Sequence, residues 1–333
     1  MKKIKILITD PIDTTGVKML EDNGYTITQK SDLNKEELLK IAGDYEAIIC
    51  RSSTPIDREV MESAKKLKCI AITSTGWDTI DIKTADRLKI AVFGQPANSK
   101  GGDISREGSF TPTAEHTILF MLALAGDFYN TARVMKEGRW EKFGFAGTEL
   151  LDKTLGIIGF GRIGQLVSQR AQAFGMKIIA YDRDGNDKSK NLQLTFPVAF
   201  VDLKTLCRQA DFITIHLPKT AETIDMIGDR QLELMKKEVI IINAARGGII
   251  NEEALIKALK NNKIRAAGLD VFVSEGHDLN MDLISLPNVI ATPHIAGVSS
   301  EGQRRRSVAT AQNIISFFEK GDLNNLVNNY KNS

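Results

Sequence analysis

Leu155-Gly156-Ile157-Ile158 runs directly into Gly159-Phe160-Gly161-Arg162-Ile163-Gly164, and a helical pattern follows over Gln165 to Phe174. A strand, a Gly-x-Gly-x-x-Gly turn and a helix in that order leave few folds open. The segment reads as the opening βα unit of a dinucleotide-binding sheet. Gly159 permits the tight turn, Gly161 leaves the backbone bare for a pyrophosphate, and Gly164 lets helix and strand pack closely. Free N–H groups and the positive end of the helix dipole then face the phosphates, with Arg162 and Ile163 in the first helical turn. The second strand, Lys177 to Tyr181, ends at Asp182. A carboxylate there accepts from both ribose hydroxyls and repels a 2′-phosphate, so NAD is expected over NADP, with Arg183 pulling slightly the other way.

The rest of the chain supports this frame. Six short apolar strands separated by helices are expected at Leu155 to Ile158, Ile178 to Tyr181, Phe212 to His216, Val239 to Asn243, Ala267 to Asp270 and Val289 to Ala291. A separate series comes earlier, at Ile4 to Thr9, Ala47 to Cys50, Ile70 to Thr73 and Ile90 to Phe93. Asn34 with Glu37 has the spacing of a capping box, and Asp57 marks another helix start. Gly94 to Pro112 is rich in glycine and serine and reads as a loop or hinge. A long helix, Thr113 to Lys136, follows it, and a last helix, Ser300 to Lys320, closes the chain. The fold class is α/β with two parallel sheets.

Composition excludes several functions. With 333 residues the chain has room for two domains, and a net charge of +2 gives no reason to expect a nucleic-acid partner. The longest apolar stretch in mid-chain, Ile118 to Ala125, is too short to span a bilayer, so no membrane partner is expected. The basic start lacks the apolar region of a signal peptide. Cys50, Cys69 and Cys207 are few, odd in number and far apart, which suits a reducing, cytoplasmic setting. None stands at metal-ligand spacing, and each reads as a small buried hydrophobe.

Polar residues recur just past the later strands, where ligands bind in open parallel sheets. Asn243 leads into Ala244-Ala245-Arg246-Gly247-Gly248, Asp270 leads towards Glu275, and Ala291 leads into Thr292-Pro293-His294. A guanidinium among small residues suits a carboxylate. Reduction of a keto carbon needs a proton at its oxygen, and histidine suits that at neutral pH. A carboxylate beside it would steady the imidazolium and fix the tautomer. Arg246, Glu275 and His294 therefore read as clamp, orienter and acid/base. Each also has a plain structural reading, and spacing alone leaves open whether the three meet.

These motifs carry a likeness. With His216-Leu217-Pro218 and Thr292 to Gly297, the chain resembles the D-isomer-specific 2-hydroxyacid dehydrogenases, and within them the phosphoglycerate dehydrogenase branch without a regulatory extension. The resemblance implies a Rossmann NAD-binding domain, 100–297, inserted into a flavodoxin-like substrate domain, 1–99 with 298–333. It implies hydride exchange between NAD and a small D-2-hydroxy acid or its 2-keto acid: phosphoglycerate, glycerate or a lactate-like acid. Arg246, Glu275 and His294 would be catalytic and Asp270 would meet the nicotinamide carboxamide. The main chain near Ala244 and His216 would line the cofactor. Arg51, Ser52, Ser74, Thr75, Gly76 and Asn98 would bind substrate.

Three departures stand out. Gly276 replaces the proline that usually follows the glutamate, Thr73 stands where many relatives carry arginine, and Lys100 to Pro112 is an insertion, taken as an inert loop ahead of a lid or an oligomer contact. A formate-type relative would carry glutamine in place of Glu275. An NAD-sensing binding module of the corepressor type is the alternative reading, and the lack of low-complexity flanks speaks against it. A homodimer is expected from the apolar run Ile118 to Ala125. His116 reads as helix packing, His277 as a surface loop residue and Arg304-Arg305-Arg306 as a solvated helix face. Trp77 reads as a pocket wall or as core.

Overall fold

The computed structural model describes residues 4–74, 76–95, 110–183, 185, 195–276 and 278–330. The chain divides into two compact units, Met1–Ser109 with Val298–Ser333, and Phe110–Gly297. The expected boundary at 99/100 falls within 96–109, outside the described residues, as do Thr75, Asn98, His277 and most of the insertion.

The first unit is a five-stranded parallel sheet in the order β2-β1-β3-β4-β5. Its strands are β1 Lys5–Ile8, β2 Thr26–Gln29, β3 Ala47–Cys50, β4 Cys69–Ile72 and β5 Ala91–Phe93. That order is the flavodoxin-like one. Side chains alternate between two buried faces. Leu7, Ile48, Cys50, Ile70, Ile72 and Val92 pack on one. Ile6, Ile8, Ala47, Ile49, Ala71 and Phe93 pack on the other, with Ala311 and Ile314 of the helix Ser300–Lys320. Burial on both faces is why these strands read as unbroken apolar runs. Asn34 accepts from Glu37 N–H while Glu37 accepts from Asn34 N–H, both at 3.0 Å, the capping box expected there. Asp57 caps its helix through Val60 N–H at 3.1 Å.

The second unit has seven parallel strands in the order β12-β11-β10-β9-β6-β7-β8. They are β6 Thr154–Ile158, β7 Lys177–Tyr181, β8 Ala199–Phe200, β9 Phe212–Ile215, β10 Ile240–Asn243, β11 Ala266–Leu269 and β12 Val289–Ala291. The chain winds outward from β6 to β8, then returns to β9 on the other side of β6. This reversal is the topological switch point, where a crevice opens at the carboxyl ends.

Three expectations change. Two edge strands, β2 and β8, were absent from the sequence reading: three of the four residues of one are polar and the other is two residues long. The expected helix Thr113 to Lys136 is two helices, Phe110–Ala125 and Phe128–Lys136, broken where Asp127 takes a left-handed φ of +49°. Arg306, expected on a solvated face, is only 5% exposed. All three cysteines are buried, and burial pushes the Cys207 thiol up to about 11. No helix of the described residues is long and apolar enough to cross a membrane.

Candidate active site

The glycine turn after β6 is shaped by close backbone approaches. Gly159 has φ +94°, and a Cβ there would lie 2.6 Å from His216 O. A Cβ on Gly164 would lie 2.4 Å from Gly159 O, whereas one on Gly161 would meet nothing within 4 Å. Gly161 is also the N-cap of the helix Arg162–Ala173, with no side chain capping it. A helix start without a side-chain cap, beside open space at Gly161, suits an anion. These residues fit the diphosphate of a dinucleotide. Arg162 lies over the Phe110 ring at 4.9 Å. Asp182 sits at the end of β7, and its Oδ2 accepts from Phe160 N–H at 2.8 Å. The acidic residue therefore holds the turn from the end of β7.

His216 follows β9, and its N–H donates to Ile158 O at 2.7 Å. Its ring Nε2 pairs with Thr214 Oγ1 at 3.0 Å, while Nδ1 has no partner among the described residues. Burial lowers its pKa to about 3, so the ring is neutral and supplies no acid.

After β10 the chain turns sharply. Asn243 Oδ1 accepts from Ala245 N–H at 3.1 Å and its Nδ2 donates to Arg246 O at 2.9 Å, clasping the Ala244–Arg246 turn. Ala244 is buried and Arg246 half-buried. Gly247 seats this turn on the loop after β11: a Cβ there would be 1.7 Å from Phe272 O and 2.1 Å from Phe272 C. Only glycine tolerates that approach.

The same β11 loop brings Glu275 to His294. Glu275 Oε2 accepts from His294 Nδ1 at 2.8 Å, and Oε1 accepts from Phe272 N–H at 3.3 Å. Burial pushes the Glu275 carboxyl up, but the bond from His294, its charge, Phe272 N–H and Arg246 together hold it below the usual carboxylate value. The influence of Arg246 places all three expected residues in one electrostatic neighbourhood. A carboxylate only accepts, so Nδ1 carries the hydrogen and Nε2 is the nitrogen left to exchange a proton.

His294 has φ +54°, a left-handed conformation uncommon outside glycine. Asp270 holds it there. Its fully buried carboxylate accepts from Thr292 Oγ1 at 2.6 Å and Ile295 N–H at 2.8 Å on one oxygen. Ala296 N–H donates to the other at 2.8 Å. Three donors leave about one lone-pair site for the carboxamide contact expected of Asp270. His116 extends this network: its Nε2 lies 3.0 Å from Thr292 Oγ1 and 3.9 Å from Asp270 Oδ1. Since Thr292 donates to the carboxylate, His116 Nε2 donates to Thr292. Sequence reasoning assigned His116 to helix packing. The signal it missed was Thr292, a hydroxyl two residues before His294. Burial lowers the His116 pKa, and the Asp270 charge opposes that.

The expected substrate residues lie in the first unit. Arg51 N–H donates to the buried Asp10 Oδ2 at 2.8 Å, and Ser74 Oγ donates to Gly76 O at 2.9 Å. Ser52 is exposed, as is Trp77, which is 42% accessible rather than core. Among the described residues no group of three histidine, cysteine or acidic side chains could hold a metal.

Comparisons with known proteins agree with this layout. Residues 118–296 match the family model described as D-isomer specific 2-hydroxyacid dehydrogenase, NAD binding domain. The chain is 39% identical to D-3-phosphoglycerate dehydrogenase of Archaeoglobus fulgidus over 98% of its own length but only 59% of that relative's. It is 39% identical to hydroxypyruvate reductase of Thermotoga maritima, over 94% of this chain and 98% of that one. Among solved structures, D-lactate dehydrogenase of Aquifex aeolicus complexed with NAD and lactic acid superposes with a TM-score of 0.81 at 28% identity, covering 96% of each chain. On the family model and on the relative it matches end to end, the chain belongs to the D-isomer-specific 2-hydroxyacid dehydrogenase family.

Proposed function

We propose that this chain is an NAD-dependent oxidoreductase that interconverts a small D-2-hydroxy acid and its 2-keto acid. The observation that carries the reading is His294, held by Glu275 at 2.8 Å just beyond β12, on the same sheet edge as an uncapped glycine turn. The second unit is the proposed NAD-binding domain and the first the proposed substrate domain. Gly159, Gly161, Arg162, Ile163 and Gly164 receive the diphosphate. Asp182 takes the ribose hydroxyls, Asp270 the carboxamide, and the backbone near His216 and Ala244 lines the crevice. Arg51, Ser52, Ser74, Thr75, Gly76 and Asn98 keep their proposed part in substrate binding.

Bound NAD supplies the hydride donor or acceptor. The chain's own groups handle the rest. Arg246 binds the carboxylate of the acid through parallel hydrogen bonds and polarises the C2 oxygen. His294 Nε2 gives a proton to that oxygen during reduction and takes it back during oxidation. Glu275 keeps Nδ1 protonated and balances the charge that appears on the ring.

A homodimer belongs to the same proposal. Around the two helices of 110–136, Leu119 is 57% exposed, Phe128 67% and Trp140 81%, a large apolar surface for a lone subunit. A monomer in sedimentation at micromolar concentration would refute it. The activity is tested by NADH and NADPH oxidation across a panel of 2-keto acids with and without a terminal phosphate. Turnover with NADH exceeding that with NADPH is expected. No oxidation on any member of the panel would overturn the reading.

A further inference from the structure

The helix Ser300–Lys320 carries Arg306 inward. Its side chain is 5% exposed, and Nη2 has no hydrogen-bond partner among the described residues. A buried guanidinium N–H group without an acceptor is an unfavourable arrangement for a fold to hold, and Nη2 calls for a partner. The neighbours do not supply one. Arg306 lines a small cleft with Arg51, Thr73 and Gln303, and Asp13 is the one carboxylate on its wall. Asp13 is otherwise engaged: it caps the helix Thr14–Asp22 through Thr15 N–H at 2.9 Å. Thr15 and the charge of Arg304 hold its carboxyl below the usual range. Burial first, then repulsion from Arg51 and Arg305, lowers the Arg306 pKa to about 10.

The helix cannot swing to relieve this. Gly16 faces Ser307, where a Cβ would lie 2.2 Å from Ser307 Oγ, and that hydroxyl donates to Asp13 O at 2.7 Å. The residue next to Arg306 is therefore locked against the first helix. The cleft encloses about 10 Å³, which admits roughly one oxygen atom. The space suits one oxygen of a larger group, and the half-buried Arg51 lines the same cleft.

We propose that Arg306 and Arg51 form an oxyanion subsite on the first unit, taking one oxygen of a phosphate or carboxylate group. The proposal rests on the function above only in its kinetic arm. Two sources share this chemistry, the distal acidic end of the substrate and a free anion.

The test uses wild type, Arg306→Met and Arg306→Lys. Inorganic phosphate is titrated while Tm is followed, because a ligand bound only by the folded state raises Tm with concentration. Wild type should show a rise that Arg306→Met loses and Arg306→Lys partly keeps. Without anion, Arg306→Met should melt no lower than wild type, since it removes an unpaired buried charge; a purely structural arginine would give the reverse. In the kinetic arm, the ratio of kcat/KM for phosphorylated over unphosphorylated keto acid should fall about 10-fold or more in Arg306→Met if the source is the substrate, the usual worth of a charged hydrogen bond. A phosphate-dependent rise in Tm with an unchanged ratio assigns the subsite to a free anion. No effect of phosphate on wild-type Tm together with an unchanged ratio overturns the proposal, whether or not the enzyme turns over.

Discussion

Gly247→Ala tests the link between backbone packing and catalysis most directly. The added Cβ would sit 1.7 Å from Phe272 O, and real Cβ atoms essentially never approach closer than 3.0 Å. The Ala244–Arg246 turn and the Phe272–Glu275 loop must therefore separate by roughly 1.3 Å, the gap between those two distances. Neither partner is a yielding side chain tip; both are backbone. Arg246 lies just before the new methyl, and Glu275 three residues beyond Phe272. A misplacement of about 1 Å in a reacting constellation costs on the order of 100-fold. Overpacking costs about 1–3 kcal/mol, which for a unit of this size means about 2–12 °C in Tm. The assay is kcat/KM for keto-acid reduction, read from NADH absorbance, alongside a thermal scan. NADH affinity, read by fluorescence, should fall less than kcat/KM, because the Gly159–Gly164 turn is untouched while the backbone near Ala244 shifts. A variant with kcat/KM within about twofold of wild type and an unchanged Tm would refute the reasoning.

Three further outcomes follow from the same site. His294→Ala should lose about 100-fold or more in kcat, the usual worth of a positioned acid, with NADH still bound; near-normal turnover would sink the acid/base assignment. Glu275 has a depressed carboxyl pKa, so its stabilising contribution is present above its ordinary value of 4.5 and fades as pH falls through the lowered one. The Tm difference between wild type and Glu275→Gln should accordingly be steady near neutrality and shrink on acidification below that range, and a difference that grows would contradict it. Thr292→Val removes one of three donors to the buried Asp270 and should cost about 1–3 kcal/mol, with Thr292→Ser restoring most of it; equal Tm for all three proteins would show that the hydroxyl does not anchor the His294 loop.

The sequence conveyed most where one residue type alone satisfies the local geometry. The glycine turn was legible because Gly159 and Gly164 each face a carbonyl that no side chain could tolerate. Asn34 and Glu37 were legible because capping is a local bond. The order Arg246, Glu275, His294 was legible as a set of motifs, but their meeting was not, since it depends on β10, β11 and β12 lying side by side. What escaped was settled by distant partners. Thr26–Gln29 has too little apolar character to announce a strand and gains its state by pairing with β1. Arg306 sits among polar neighbours in sequence, and only the packing of its helix on the first sheet turns it inward. His116 became part of the site through Thr292, which is 176 residues away.

Because every strand of the second sheet runs the same way, the residues proposed for its functions follow the carboxyl ends in a row: glycine turn at β6, His216 at β9, Arg246 at β10, Asp270 at β11, His294 at β12. The row works as a ruler whose unit is the interstrand spacing. Four intervals of about 4.8 Å separate the β6 end from the β12 end, roughly 19 Å. On the proposed function, a ligand held by its phosphates at Gly159–Gly164 has to extend along that row to approach His294. The proposed site would thereby select ligands by length before any side chain reads their chemistry. A short anion can occupy the turn and remain out of reach of His294.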